Sequence, residues 1–279
     1  MSTLTPSADP HPTGPVDVST VDARIGPRAQ LRHIGALVRR NLLWIRKDPE
    51  SMFDAVLMPI VLTLLFVFVF GGAIAGADRR DEYVSYVVPG LMAMMGLNLA
   101  MGVGTGFNQD FQTGVMDRFR SLPIARSSVL IAKIVVEVGR MLVATAILLA
   151  VGFSLGLSVS NVPGMFLAIA LATLFGTSLM WIFITMGVVM NSAQAIQSMG
   201  FLVLMPLQFG SSIFAPPESM PGWLRTFTDY NPLSALADAS RGLMTGGAVA
   251  RDVAMTLGWT VGLTVLVAPV AIHKFRTKS

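Results

Sequence analysis

Six apolar stretches, each near the roughly 20 residues that a helix needs to cross a bilayer, constrain this chain more than anything else in it. They are Ala55–Ile74, Tyr86–Gly106, a charge-free run Met141–Leu157 whose helix is expected to start near Ser127, Met165–Met190, Ile196–Phe214 and Val253–Ile272. Only 13% of the 279 residues are charged, against about 25% in an ordinary soluble domain. That charge cannot cover a water-exposed globule of this size, so a soluble Rossmann, barrel or sandwich enzyme does not fit. Global disorder is excluded as well, because its signature is low hydrophobicity. The reading is an all-α membrane protein with six transmembrane helices.

Orientation follows from the Lys and Arg residues, which gather on the cytoplasmic side of membrane proteins. With the N-terminus inside, fifteen of the twenty fall on the cytoplasmic side: seven from Arg24 to Lys47, five from Arg118 to Arg140, and Lys274, Arg276 and Lys278. Arg79, Arg80, Arg225, Arg241 and Arg251 fall outside. Both termini are therefore expected in the cytoplasm, in a multi-pass protein of the plasma (inner) membrane. The basic balance is thus a matter of topology, and no nucleic-acid partner is expected. No cysteine is present, so disulfides and thiolate chemistry are excluded without fixing a compartment.

Residues 1–27 are expected to form a disordered cytoplasmic tail, polar and rich in Pro, Ser and Thr, and 28–279 a membrane domain. The N-terminus lacks the apolar stretch of a signal peptide, so the first span is expected to direct insertion and stay in the protein. Between Leu31 and Lys47, Leu31, Ile34, Leu37, Val38, Leu42, Trp44 and Ile45 share one arc of about 160° at helical pitch. Arg32, His33, Arg39, Arg40, Arg46 and Lys47 hold the other. Such a helix lies in the interface, with Arg39 and Arg40 toward anionic lipid headgroups and Trp44 at the boundary.

Two connections carry further signal. From Asn108 to Arg126 a charged cytoplasmic loop is expected, with Gly114 ending the helix before it and Pro123 stopping a short turn from Met116 to Leu122. After span five, about 38 proline-punctuated residues precede span six. Two short helices fit there, Pro221–Asp229 and Pro232–Leu243, each with proline near its first turn. Trp223 is expected at an interface, and Arg241 partly buried with an acidic or carbonyl partner. Such a segment would cap the outer side of the membrane domain.

In these residues the chain resembles the permease subunit of a type-2 ABC exporter of the daunorubicin/doxorubicin-resistance group. The likeness rests on Gly114–Arg126 (Gly-Val-Met-Asp-Arg-Phe-Arg-Ser-Leu-Pro-Ile-Ala-Arg), Met220–Leu224, Asn231-Pro232-Leu233 and Ala239–Gly246, and covers about 28–279. The resemblance implies two permease subunits, expected here as a homodimer, and two ATP-binding cassette subunits that bind ATP and magnesium. It also implies a connecting helix, matched to Leu31–Lys47, and outer re-entrant helices, matched to Pro221–Leu243, including Trp223, Pro232 and Arg241. A coupling helix to the ATPase is matched to Met116, Asp117, Arg118, Phe119, Arg120, Leu122 and Pro123. The expected cargo is an amphipathic small molecule, a drug or antibiotic or a lipid.

The chain has no phosphate-cradling G-x-x-x-x-G-K-[ST] sequence, and its histidines are too scattered for a metal or a triad, so no cofactor and no catalytic residue is expected in it. Met95, Asn98, Trp181 and Gln208 are candidates for the substrate pathway, as is Phe183, because flexible and polarizable side chains suit varied apolar ligands. Met and Gly are equally ordinary helix-packing residues. A proton-coupled transporter would use Glu137 as carrier, but Lys133, paired with it at i,i+4, and Arg140 make it a poor one near neutral pH. These three residues are alternatively the wet cytoplasmic end of span three. A non-transporting membrane scaffold, binding a partner through the same loop, is the other competing reading.

Overall fold

The computed structural model describes Gly35 and residues 49–74, 79–115 and 126–278. The tail, the interfacial helix with Arg39, Arg40 and Trp44, and the segment Met116–Pro123 lie outside the described residues. Every regular element within them is helical.

Helix α1 (Pro49–Leu65) opens on a proline, whose fixed φ and missing N–H suit a first turn, and carries Pro59 inside. It continues through a π-helical turn (Phe66–Phe70) into α2 (Gly71–Ile74). Helix α3 (Arg80–Gln112) has 33 residues and outruns the expected Tyr86–Gly106 at both ends. Asp81 and Glu82 complement its N-terminal dipole, and its polar last turn finds partners across the bundle. Asn108–Gln112, expected as loop, is therefore helix, and Gly114 at φ +69° follows it.

Helix α4 spans Arg126–Ser154 and α5 Val162–Val189. Asn161 caps α5 by accepting from the Gly164 N–H at 3.1 Å. Helix α6 (Ala193–Phe209) starts under a Ser192 cap and ends five residues short of the expected Phe214. Side chains of other helices, described below, take up the carbonyls beyond that point. A 3₁₀ turn (Pro217–Ser219), α7 (Gly222–Tyr230), α8 (Pro232–Thr245) and α9 (Ala250–Lys278) complete the chain. The two short helices thus lie within two residues of their expected bounds, and Gly246 ends α8 at φ +81°.

Among the described residues, four helices are long and apolar enough to cross a membrane: α3, α4 from Leu130, α5 and α9 to Phe275. The other two expected spans are shorter, since α6 has 17 residues and the apolar run Val56–Phe70 contains the π turn.

Helices α3, α5 and α9 pack side by side with α8 wedged against all three, while α1 pairs with α4, and α6 lies mainly along α3. Leu91, Met92, Leu97, Phe107, Phe175, Met180 and Ile184 fill the core. Close approach of α3 and α5 depends on small residues: a Cβ on Gly187 would stand 2.5 Å from the Gly104 carbonyl oxygen. Helix α6 buries only Ile196, Gly200, Leu204 and Gln208, one position per turn. Phe201, Leu202, Val203, Met205 and Phe209, by contrast, are exposed.

Contacts sort the helix termini into two sets. At one end, Gly71 adjoins Tyr83, the Ser158 N–H reaches Ser85 of α3, and the Asn161 N–H reaches Met244 of α8 at 3.0 Å. At the other, Asn108 meets the α5–α6 turn, Lys133 meets Asp110, and Phe275 packs edge-on to Phe107 and Phe111.

Candidate functional site

The end that holds α7 and α8 is built around a largely buried cation. The Arg241 side chain is 13% exposed. Its Nε donates to the Tyr86 carbonyl at 2.8 Å, Nη1 to Asp238 Oδ1 and to Ser212 Oγ, and Nη2 to the carbonyls of Ser212 at 2.7 Å and Ile213 at 3.1 Å. The guanidinium also lies 3.7 Å from the Tyr86 ring centroid. Only the planar fork of arginine serves this many acceptors at once. Gly90 leaves room for it, since a Cβ there would come within 3.1 Å of Nη2.

What Arg241 holds is the irregular backbone after α6. Residues 210–213 are buried, and a buried carbonyl needs a partner. The Gly210 carbonyl accepts from Thr228 and Asn231, each at 3.0 Å, the Ser212 carbonyl also from the Tyr86 hydroxyl at 2.7 Å, and the Phe214 carbonyl from the Tyr83 hydroxyl at 3.3 Å. Asn231 additionally binds the Leu207 carbonyl and caps α8 through the Leu233 N–H. Phe214 then stacks on Phe66 of the π turn, with ring centroids 4.4 Å apart.

The opposite end carries a second junction. Asn108 Nδ2 donates to the Gly187 carbonyl at 3.2 Å and to the Met190 carbonyl at 2.7 Å. Gln112 Nε2 donates to Asn108 Oδ1 and to the Asn191 carbonyl, both at 2.8 Å. On the other side of α3, Lys133 of α4 pairs with Asp110 and lies over the Phe107 ring at 4.4 Å. The expected Lys133–Glu137 pair is therefore corrected. Lys133 turns across to α3, and Arg140, at i+3, reaches both Glu137 oxygens at 3.1 Å. Glu137 itself is buried.

An apolar cavity of about 140 Å³ lies between α3, α5, α6 and the start of α8, lined by Leu97, Phe183, Met186, Gly200, Val203 and Leu233 among others. Phe183 reaches it, but Met95, Asn98, Trp181 and Gln208 do not line it. Each sits one or two positions from a lining residue, which at helical pitch turns it about 100–160° away. Of the outer residues, Pro221 precedes α7, Pro232 opens α8, and Trp223 is 75% exposed. Tyr86, Ser212 and Asp238 escaped the sequence reading. Asp238, three residues before Arg241, was the available signal, whereas nothing local marks a carbonyl 155 positions away.

Apolar helices of spanning length arranged around polar, helix-terminal junctions are the build of a multi-pass membrane protein. The chain belongs to the ABC-2 type transporter family, which matches residues 32–245. It is 36% identical, over 86% of its length and 84% of the relative's, to a daunorubicin resistance ABC transporter permease protein of Streptomyces coeruleorubidus. It is 27% identical, over 85% of its length and 86% of the relative's, to a protein of Mycobacterium tuberculosis named as a probable doxorubicin resistance ABC transporter permease. Membership implies an ATP-binding partner subunit.

Proposed function

We propose that this chain is the membrane-spanning subunit of an ATP-driven exporter that moves amphipathic small molecules, drugs or lipids, out across the plasma membrane. The observation that carries the reading is the family match over residues 32–245, with relatives named for daunorubicin and doxorubicin resistance. Two copies of the chain form the pathway, and two partner subunits bind ATP and magnesium and hydrolyse the ATP. The permease itself holds no cofactor and catalyses no reaction.

Six crossings, with α1–α2, α3, α4, α5, α6 and α9 in turn and both termini cytoplasmic, agree with the alternation of helix ends between the two junctions. Helices α7 and α8 re-enter from the outer face. Irregular backbone is tolerated at membrane depth only where protein buries it, and the paired carbonyls of Gly210–Phe214 meet that condition. Helix Leu31–Lys47 rests on lipid headgroups through Arg39, Arg40 and Trp44, and Met116–Pro123 contacts the ATP-binding partner. The apolar cavity beside α6 accepts the apolar part of the cargo, with Met95, Asn98, Trp181 and Gln208 lining other parts of the path. ATP drives the change of access to the extent that the closed partner binds one permease state more tightly than the other.

Glu137 has both oxygens occupied by Arg140, which argues against a proton carrier. The test reconstitutes the permease with and without the ATP-binding subunit, supplying ATP or an imposed proton gradient, with daunorubicin as probe. Transport is expected only with the partner and ATP. Gradient-driven movement by the permease alone, abolished by Glu137→Gln, would establish the secondary-transporter reading instead.

A further inference from the structure

The last turn of α3 touches more than its position in sequence explains. The carbonyls near the C-terminus of a helix have no partner within it. At the end of α5, the Gly187 and Met190 carbonyls receive Asn108 Nδ2 at 3.2 and 2.7 Å. Asn108 is 2% exposed and lies 79 positions from Gly187. Gln112, one turn on, grips the Asn191 carbonyl and orients the Asn108 amide through its Oδ1. Two amide side chains of α3 thus satisfy carbonyls at the end of α5, and they fasten the α5–α6 turn to the end of α3. Below them the two backbones approach closely, a Cβ on Gly187 standing 2.5 Å from the Gly104 carbonyl oxygen.

This end of α3 leads directly into the segment assigned above to the ATP-binding partner. Its other stem, α4, is tied back to α3 by Asp110 and Lys133. A displacement imposed on the segment therefore reaches α3 first, and the amide clamp is the polar connection onward to α6, the helix that borders the cavity.

We propose that Asn108 and Gln112 are positioning residues that carry movement of the ATP-binding partner from the end of α3 to the α5–α6 turn, and so to α6. The proposal rests on the exporter reading, and its test separates the two. Spin labels are placed at Gln194→Cys, in the first turn of α6, and His273→Cys, near the end of α9, both exposed positions in a cysteine-free chain. Distances are measured in the complex with its ATP-binding partner, without nucleotide and with ATP plus vanadate.

In the otherwise native chain the nucleotide is expected to shift the Gln194–His273 distance. In Gln112→Ala and Asn108→Leu the shift is expected to be lost while partner binding persists. The transport-to-hydrolysis ratio for daunorubicin is expected to fall roughly fivefold or more, the scale of a typical coupling between sites. Gln112 is exposed, so its variant keeps the test decisive if Asn108→Leu misfolds. Gln112→Glu keeps the length but loses the donor, and is expected to behave as Gln112→Ala. An unchanged shift and ratio in Gln112→Ala overturn the proposal, and so does a native complex that binds its partner without any shift. A native chain that binds no ATP-binding subunit overturns the exporter reading itself.

Discussion

Arg241 and Tyr86 meet twice: the guanidinium lies 3.7 Å from the centre of the Tyr86 ring, while its Nε donates to the carbonyl of the same residue at 2.8 Å. Both contacts depend on α8 lying beside the first turns of α3, and together they fix α8 there. The remaining nitrogens secure Asp238 and the two carbonyls beyond α6.

Replacing Arg241 by Ala is expected to destabilise the protein by about 3 kcal/mol, near the lower end for a broken buried pair, because Asp238 retains some solvent access. Arg241→Lys is expected to fall between, since an ammonium keeps the charge but cannot span the five acceptors. Thermal unfolding of the detergent-solubilised protein measures both. Equal midpoints for native and Arg241→Ala chains would remove the clamp from the account.

Glycine at the α5–α8 contact is expected to be irreplaceable. A Cβ at Gly164 would stand 1.9 Å from the Leu243 carbonyl oxygen, and backbone cannot retreat as a side-chain tip can. Gly164→Ala is expected to cost at least the roughly 1–3 kcal/mol of overpacking. Gly102→Ala, with nothing within 4 Å, serves as control and is expected to be neutral or slightly stabilising. Yields of monodisperse protein compare the two, and comparable yields would contradict the packing described.

Cysteine introduced at Ser219 or Thr245, both exposed beside α7 and α8, is expected to react with membrane-impermeant thiol reagents added outside intact cells. Labelling from the cytoplasmic side alone would invert the proposed topology.

Charge reversal in the Asp117→Arg, Arg118→Glu double variant is expected to lower ATP-coupled transport and leave membrane insertion intact. Full transport with normal stimulation of the ATP-binding subunit would move the partner contact elsewhere on the chain.

Much of the fold was legible because it follows from local physics. Twenty-residue apolar runs in a chain so poor in charge specify helices wherever they occur, and Asn231-Pro232 and Gly246 marked the ends of α8 by capping chemistry. Proline punctuation located α7 in the same way. The end of α6 was not legible: Ile196–Phe214 reads as one apolar span, yet the helix stops at Phe209. Nothing in the intervening sequence supplies the partners that make this stop affordable to the backbone. Thr228, Asn231 and Arg241, with Tyr83 and Tyr86 of α3, supply them from afar.

The same distinction separates the charged residues. Sequence spacing offered Lys133 to Glu137 on one helix face, but α3 brings Asp110 nearer, and Arg140 takes the glutamate. Asn108 and Gln112 looked like loop because a hydropathy run ends before them; only the α5–α6 turn, 79 positions away, makes their amides worth burying in a helix. Sequence by itself determined that the chain is helical, where its apolar spans fall and which family it resembles, because periodicity, charge and capping act over a few residues. Tertiary structure alone decided which polar groups meet, because hydrogen bonds and ion pairs form only between atoms brought within about 3–4 Å, whatever their separation along the chain.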